Sequence, residues 1–246
     1  MMTIYIISSD NSIHCIEAMQ YFVNKYWIPN PPKVVVLSYN QPENFELSKN
    51  FEVVSMGDDE GPDTVTKKIE KYMSEIDEEH FIFTVDDFLP IKPVDINLIS
   101  YLENKIVNEN ISRIALENNF HNKKRETLEE YNGHIISQLD YNVGYPGLIS
   151  TIWSLWSKEF FLESIQETGN LWNWEKKSNQ YKNQKHRIIG VENGGALPTC
   201  HLFKQAKLKS DWYKITDTND DIDADDKVKI ESFLDKWKKE FVIQLV

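Results

Sequence analysis

Phe81-Ile82-Phe83-Thr84-Val85-Asp86-Asp87-Phe88 is an apolar run that stops at two adjacent carboxylates. Aromatic and β-branched residues without helical spacing read as a buried strand. Such a strand in a parallel sheet delivers the acids to the carboxyl edge, where open α/β sheets bind ligands. Two neighbouring carboxylates repel each other and are costly to desolvate unless a positive group joins them. A divalent ion with hard oxygen preferences is the natural partner, and a nucleoside diphosphate completes such a shell with its phosphate oxygens. The competing reading is a strand-end Asp pair capping the turn at Leu89-Pro90.

The surrounding pattern supports a sheet. Thr3 to Ile7 is β-branched and apolar and breaks at Ser8-Ser9-Asp10-Asn11. Ile16, Met19, Val23 and Tyr26 follow at helical spacing, ended by Pro29, Pro31 and Pro32. Lys33 to Tyr39 and Phe51 to Met56 read as strands. Gly61-Pro62 opens a helix with Val65, Ile69, Tyr72, Met73 and Ile76 on one face. A helix over Asp95 to Val107 and a strand over Arg113 to Glu117 come after the acidic pair. Strands alternating with helices predict an α/β fold, a Rossmann-like, mostly parallel sheet flanked by helices. Neither G-x-G-x-x-G nor G-x-x-x-x-G-K-[ST] occurs, so the usual dinucleotide and phosphate-cradling loops are not expected.

The second half is less regular. His134 to Leu139 reads as a strand, and Ser157 caps a helix carrying Phe160, Phe161 and Ile165. Val191 to Leu197 holds a Gly194-Gly195 turn, and Asp225 to Phe241 is an amphipathic terminal helix. The expected organisation is one domain over residues 1–210, with residues 211–246 as an acidic segment and a helical extension packed on it.

Composition narrows the class. Lys and Arg number 27 against 39 Asp and Glu, a net charge of −12, which opposes unspecialised binding to phosphate backbones. With 7 Trp, 11 Tyr and 12 Phe, the chain is not intrinsically disordered. Cys15 and Cys200 form neither a disulfide framework nor a zinc set, fit a reducing compartment, and read as small buried residues. The amino terminus lacks a basic leader, and the longest uncharged run, Tyr141 to Ser157, is short for a membrane span, so a cytoplasmic protein without a transmembrane segment is expected.

Taken in order, these features resemble the nucleotide-sugar-dependent glycosyltransferases of the GT-A fold, whose hallmark is a D-x-D motif. The likeness is carried by Asp10, Tyr26-Trp27-Ile28-Pro29, Asp86-Asp87-Phe88, Trp156-Ser157-Lys158-Glu159-Phe160 and Trp172-Asn173-Trp174-Glu175, and it spans roughly residues 3 to 200. It is closest to a group of bacterial and viral members. Two departures stand out: Val85 occupies the place of the first acid, moving its ribose contact to Asp86, and Ile152-Trp153 replaces an expected Gln-Pro on the acceptor side.

The resemblance implies a donor such as a UDP-sugar, Mn2+ or Mg2+ as cofactor, and a surface glycan as acceptor. Asp87 would hold the metal, with His201, or else His186, completing the shell. Ser8, Ser9, Asp10 and Asp86 would contact the donor. Glu175 would sit at a helix start facing the acceptor and act as general base in an inverting reaction; otherwise it is a carboxylate favoured by the macrodipole or paired with Lys176 or Lys177. Asp63, just inside another helix start, would touch the donor, or else is likewise a carboxylate favoured by the macrodipole.

Other features are open to two accounts. Trp153, Trp156, Trp172 and Trp174 either stack on sugar faces or fill the core. Lys176 to Arg187, the one basic stretch, is a loop contacting donor phosphates or an anionic acceptor, or else a solvated loop. It is also the sole support for an alternative, a phage-type enzyme glycosylating hydroxymethylated DNA bases. Val85 motivates a third reading, a catalytically silent GT-A-like module. The acidic run Asp217 to Asp226 lacks the Gly and Glu of a calcium loop and reads as a solvated lead-in whose last Asp residues cap the terminal helix.

Overall fold

The computed structural model describes residues 1–40, 46–116, 124–141, 148–181, 185–192, 195–204, 207–215, 220–240 and 244–245. The elements run in the order β1 (Ile4–Ile7), α1 (Cys15–Tyr26), β2 (Val34–Ser38), β3 (Phe51–Ser55), α2 (Val65–Glu75), β4 (His80–Val85), β5 (Phe88–Pro90), α3 (Ile96–Asn108) and β6 (Arg113–Ala115). They continue as β7 (Lys124–Tyr131), β8 (His134–Leu139), β9 (Ser154–Ser157), α4 (Lys158–Ile165), α5 (Leu171–Lys176), β10 (Ile188–Val191), β11 (Thr199–His201), β12 (Phe203–Lys204), β13 (Lys207–Leu208), α6 (Ala224–Glu240) and β14 (Gln244–Leu245).

A nine-stranded sheet in the order β3-β2-β1-β4-β9-β6-β10-β8-β7 forms the centre. Pairing is parallel through β3, β2, β1 and β4, and again between β6 and β10. Only β9 and β8 run against the others. The α/β, Rossmann-like arrangement predicted from the alternating pattern is the one observed.

The sheet is buried on both faces, which is why β1 and β2 are continuously apolar rather than alternating. Ile4, Ile6, Val34, Val36 and Ile82 point to one side and pack with α1, α3 and α6. Tyr5, Val35, Leu37, Phe81 and Phe83 point to the other and pack with α2, α4 and Trp174 of α5. The cap expected at Ser157 is in place, its Oγ accepting from the Phe160 amide, and α3 begins one residue later than expected, with the Asp95 carboxylate capping it by accepting from the amides of Asn97 and Leu98. Pro62–Thr64 forms a short 3-10 turn before α2 begins.

Two strands carry no alternating apolar signal. β7 (KRETLEEY) is charged almost throughout, yet it pairs with β8 across a two-residue turn. Asn132 and Gly133 there both have positive φ, 50° and 84°, the twist a tight hairpin needs. β9 is inserted antiparallel between β4 and β6. The strand expected over Arg113 to Glu117 is shorter, and Glu117 lies outside the described residues, as do Asn193 and Gly194 of the expected turn.

The acidic lead-in is not wholly solvated. Residues 216–219 are outside the described set, but Asp226, in the first turn of α6, is fully buried and accepts from Lys25 Nζ and Tyr26 Oη. Trp237 Nε1 donates to Glu17 at 3.2 Å, and Ile230, Phe233, Leu234 and Trp237 join the same cluster as β1 and α1. The terminal helix is therefore part of one core layer. Among the described residues, no helix is long and apolar enough to cross a membrane.

Candidate functional site

The parallel register sets Ile7 against Val85, so Ser8 and Asp86 leave neighbouring strands side by side at the carboxyl edge. Ser8 Oγ donates to Asp86 Oδ2. Asp86 is 6% exposed. Burial and the adjacent Asp87 push its carboxyl well above the usual carboxylate range, opposed by the hydroxyls of Ser12 and Ser8. Asp86 is thus turned inward, ordering the turn after β1.

Ser9 and Asp10 build that turn. Ser9 O accepts from the amides of Ser12 and Ile13, and the Ser9 and Ser12 hydroxyls lie 2.9 Å apart. Asp10 accepts from the Asn40 amide at 3.0 Å and its side-chain nitrogen at 2.8 Å, tying the loop after β1 to the loop after β2. Nothing local in sequence marks Ser12 or Asn40; both follow from which strands are neighbours.

Asp87 points elsewhere. The chain reverses into β5, which pairs antiparallel with β11 and sets Phe88 opposite His201. The Phe88 and His201 rings stack at 4.0 Å and 17°. That stacking holds His201 Nε2 3.2 Å from Asp87 Oδ2, while the Leu202 amide donates to Asp87 O at 2.9 Å. The two side chains are each 22% exposed, open enough for a ligand to reach.

As a metal site the pair offers one carboxylate oxygen and one imidazole nitrogen. Ligands about 2.1 Å from an octahedral ion lie roughly 3 Å apart, so the observed spacing suits two adjacent positions. Among the described residues no group of three or more His, Cys, Asp or Glu forms a metal cluster. The donor set fits a divalent ion that draws its other ligands from phosphate oxygens and water. His186, the other candidate, is elsewhere. It precedes β10, whose register places Ile188 against Arg113 at the amino edge, and it contacts Glu163 Oε1 and Ser112 Oγ, each at 3.2 Å.

Glu175 does not sit at a helix start. It is the penultimate residue of α5, whose N-cap is Asn170, so the helix dipole disfavours it there. Two donors compensate: Thr151 N and Thr151 Oγ1 both reach Glu175 Oε1 at 2.9 Å. Lys177 Nζ instead bonds Gln166 O. Because Ser154 lies opposite Phe83 on antiparallel β9, the residues before Ser154 emerge at the edge that carries Asp86. Trp153 Nε1 fastens this segment to Phe88 O at 2.8 Å. Glu175, Asp86, Asp87 and His201 therefore share one edge of the sheet. Thr151 was not legible, since its role depends on β9 being inserted beside β4.

Three of the four tryptophans are core. Trp153, Trp156 and Trp174 are fully buried, with Trp156 stacked on Trp174 at 5.5 Å and Trp174 Nε1 donating to Ser164 at 2.9 Å. Trp172 alone of this group is exposed, at 54%. The basic stretch is also not a free loop at either described end: Lys177–Tyr181 forms a 3-10 helix with Ser178 and Tyr181 buried. Lys185 pairs with Glu163 at 2.9 Å and Arg187 with Glu109 at 3.0 Å, at the amino edge, away from Asp87; residues 182–184 lie outside the described set. Cys15 and Cys200 are buried, and burial pushes both thiols up, as expected of inert packing residues. Asp63, in the 3-10 turn that precedes α2, accepts from Asn170 Nδ2 at 2.8 Å.

No protein-family profile matches the chain, and no curated protein does. Solved structures of similar shape include a UDP-glucose pyrophosphorylase complexed with UDP-glucose, 12% identical with a TM-score of 0.48, covering 97% of this chain and 99% of that one. S. aureus TarS is 10% identical with a TM-score of 0.48, over 78% of this chain and 58% of its own. A mannosyltransferase, PcManGT from Pyrobaculum calidifontis in complex with GDP-Man and Mn2+, is 9% identical with a TM-score of 0.47, over 78% and 56%.

Proposed function

We propose that the chain is a metal-dependent glycosyltransferase that moves a sugar from a nucleoside diphosphate, by preference a UDP-sugar, to a hydroxyl of a glycan acceptor. The observation that carries this reading is the meeting of Asp87 and His201 at the carboxyl edge, beside the turn built by Ser8, Ser9 and Asp10. Asp87 and His201 would hold Mn2+ or Mg2+. When bound, the ion supplies positive charge against the oxygens of the departing diphosphate.

The turn after β1 borders the nucleotide, with Asp86 ordering it from below. Glu175, oriented by Thr151, accepts the proton of the acceptor hydroxyl. The acceptor oxygen bonds to the anomeric carbon as the bond from that carbon to the diphosphate breaks, which inverts the centre. The DNA-modifying alternative loses support, because Lys185 and Arg187 are engaged by Glu163 and Glu109.

A thermal-shift panel of UDP-, GDP-, CMP- and dTDP-sugars with and without Mn2+, on wild type and Asp87→Asn, tests the reading. A ligand bound only by the folded state raises apparent stability by mass action. The expected result is a Mn2+-dependent rise with one nucleotide, lost in Asp87→Asn, and transfer reduced by orders of magnitude in Glu175→Gln. No shift with any donor, or wild-type transfer in both variants, would overturn it. Donor binding without turnover would leave a silent binding module.

A further inference from the structure

We propose that Ser112, His186 and Glu163 form a second reactive centre at the amino edge of the sheet, a serine nucleophile that attacks activated carboxylic esters. The centre lies at the opposite edge from Asp87 and His201 and stands independently of the transferase reading. Ser112 immediately precedes β6, Glu163 belongs to α4, and His186 comes two residues before β10. Three segments far apart along the chain thus meet at one imidazole.

The contacts run in series. Glu163 Oε1 lies 3.2 Å from His186 Nε2, and His186 Nδ1 lies 3.2 Å from Ser112 Oγ. Burial works to keep the Glu163 carboxyl protonated, but hydrogen bonds from Lys185 and His186 outweigh it and hold the group below its ordinary value. An ionised carboxylate only accepts, so the proton of the neutral ring sits on Nε2 and the lone pair of Nδ1 faces the serine hydroxyl. Nucleophile, base and orienting acid in this sequence are the parts of a serine triad, which is defined by geometry and not by order along the chain.

The imidazole is held in place by its neighbours. It lies against Phe160 at 4.2 Å and edge-on to Tyr181 at 5.5 Å. Tyr181 Oη also donates to Glu163 O at 3.3 Å, and Tyr141 Oη donates to His186 O. His186 is 7% exposed whereas Ser112 is half-buried, so the base is shielded and the nucleophile reaches the surface. The Ser112 amide is spent on Arg187 O at 2.8 Å and does not serve an oxyanion, which confines the reaction to esters with good leaving groups, such as aryl esters. In the proposed step Ser112 Oγ bonds to the acyl carbon as its proton moves to His186 Nδ1. The bond from that carbon to the leaving oxygen then breaks, and the leaving oxygen takes the proton. Water repeats the sequence on the acyl-serine, returns a proton to Ser112 Oγ through Nδ1, and releases the carboxylic acid.

A fluorophosphonate, which phosphonylates an activated serine with loss of fluoride, tests this on the full chain. EDTA is present, so that no metal-bound hydroxide contributes. Intact-mass and peptide analysis are expected to place a single adduct on Ser112, a result that needs no variant to fold. Ser112→Ala is expected to give none. His186→Gln is expected to label about a hundredfold more slowly, the scale of general-base help, with hydrolysis of p-nitrophenyl acetate falling in parallel. Glu163→Gln is expected to slow labelling and Glu163→Asp to recover part of the rate, as a positioning carboxylate requires. No adduct, an adduct on another residue, or undiminished labelling in His186→Gln would overturn the centre. The assay contains neither nucleotide-sugar nor manganese, so its failure leaves the transferase reading untouched.

Discussion

Between pH 7 and 5 the histidine on which the C-terminal helix rests stays neutral in the folded protein, while the same residue in the unfolded chain takes up a proton. His14 precedes α1 and is 6% exposed, edge-on to Trp237 at 4.9 Å and to Phe203 at 5.9 Å. Burial pushes its pKa down to about 4, against a small opposing pull from Glu17. An unfolded histidine titrates near 6.5. The unfolded chain thus binds this proton first, and stability falls as pH drops below that value until the folded imidazole also titrates. Between pH 7 and 5 the linkage amounts to about 2 kcal/mol, and over the whole window to about 3 kcal/mol. The assay is urea unfolding at both pH values, comparing wild type with His14→Phe, which keeps a ring in the same aromatic nest. Other groups titrate in both proteins and cancel in the difference. Wild type is expected to lose about 2 kcal/mol more than His14→Phe on acidification. Equal losses would refute a desolvated His14, and with it the tight seating of Trp237 over α1.

Two further outcomes test the described contacts. Asp226→Ala removes the buried acceptor of Lys25 and Tyr26 and is expected to cost about 3 kcal/mol; a denaturation midpoint equal to wild type would show that α6 adds little there. Thr151→Val removes one of the two donors that orient Glu175. Transfer is expected to fall roughly tenfold in kcat, the worth of a hydrogen bond to a charged group, with donor KM unchanged and Thr151→Ser restoring the rate. Unaltered kcat in Thr151→Val would remove Thr151 as a positioning residue.

The legible parts of this protein are those whose pattern is local. Ile4–Ile7, Val34–Ser38 and His80–Val85 are apolar because helices cover both faces of the sheet, so a short window of sequence reveals them. The same run shows that Asp86 and Asp87 end a strand, and parallel connectivity then puts them at the ligand-binding edge. β7 was not legible because its charges carry no alternating apolar signal, whereas its partner β8 and the Asn132-Gly133 turn hold it in the sheet. The tryptophans of the second half were ambiguous for a physical reason: an indole suits a core and a sugar platform equally. Only burial separates Trp174 from Trp172, two residues apart and on opposite sides of one short helix.

The alternation of strands and helices, the acidic strand end and the two inert cysteines are readable from the chain alone, because each depends on residues close along it. Which partners those acids meet follows from the assembled sheet. Asp86 is turned onto Ser8, 78 residues away, and Asp87 onto His201, 114 residues away, by the register of β1 with β4 and of β5 with β11. Glu175 gained its orienting donors when β9 entered beside β4 and brought Thr151 to the same edge. Strand order and register are set by packing summed over the whole sheet, and no single stretch of chain carries them.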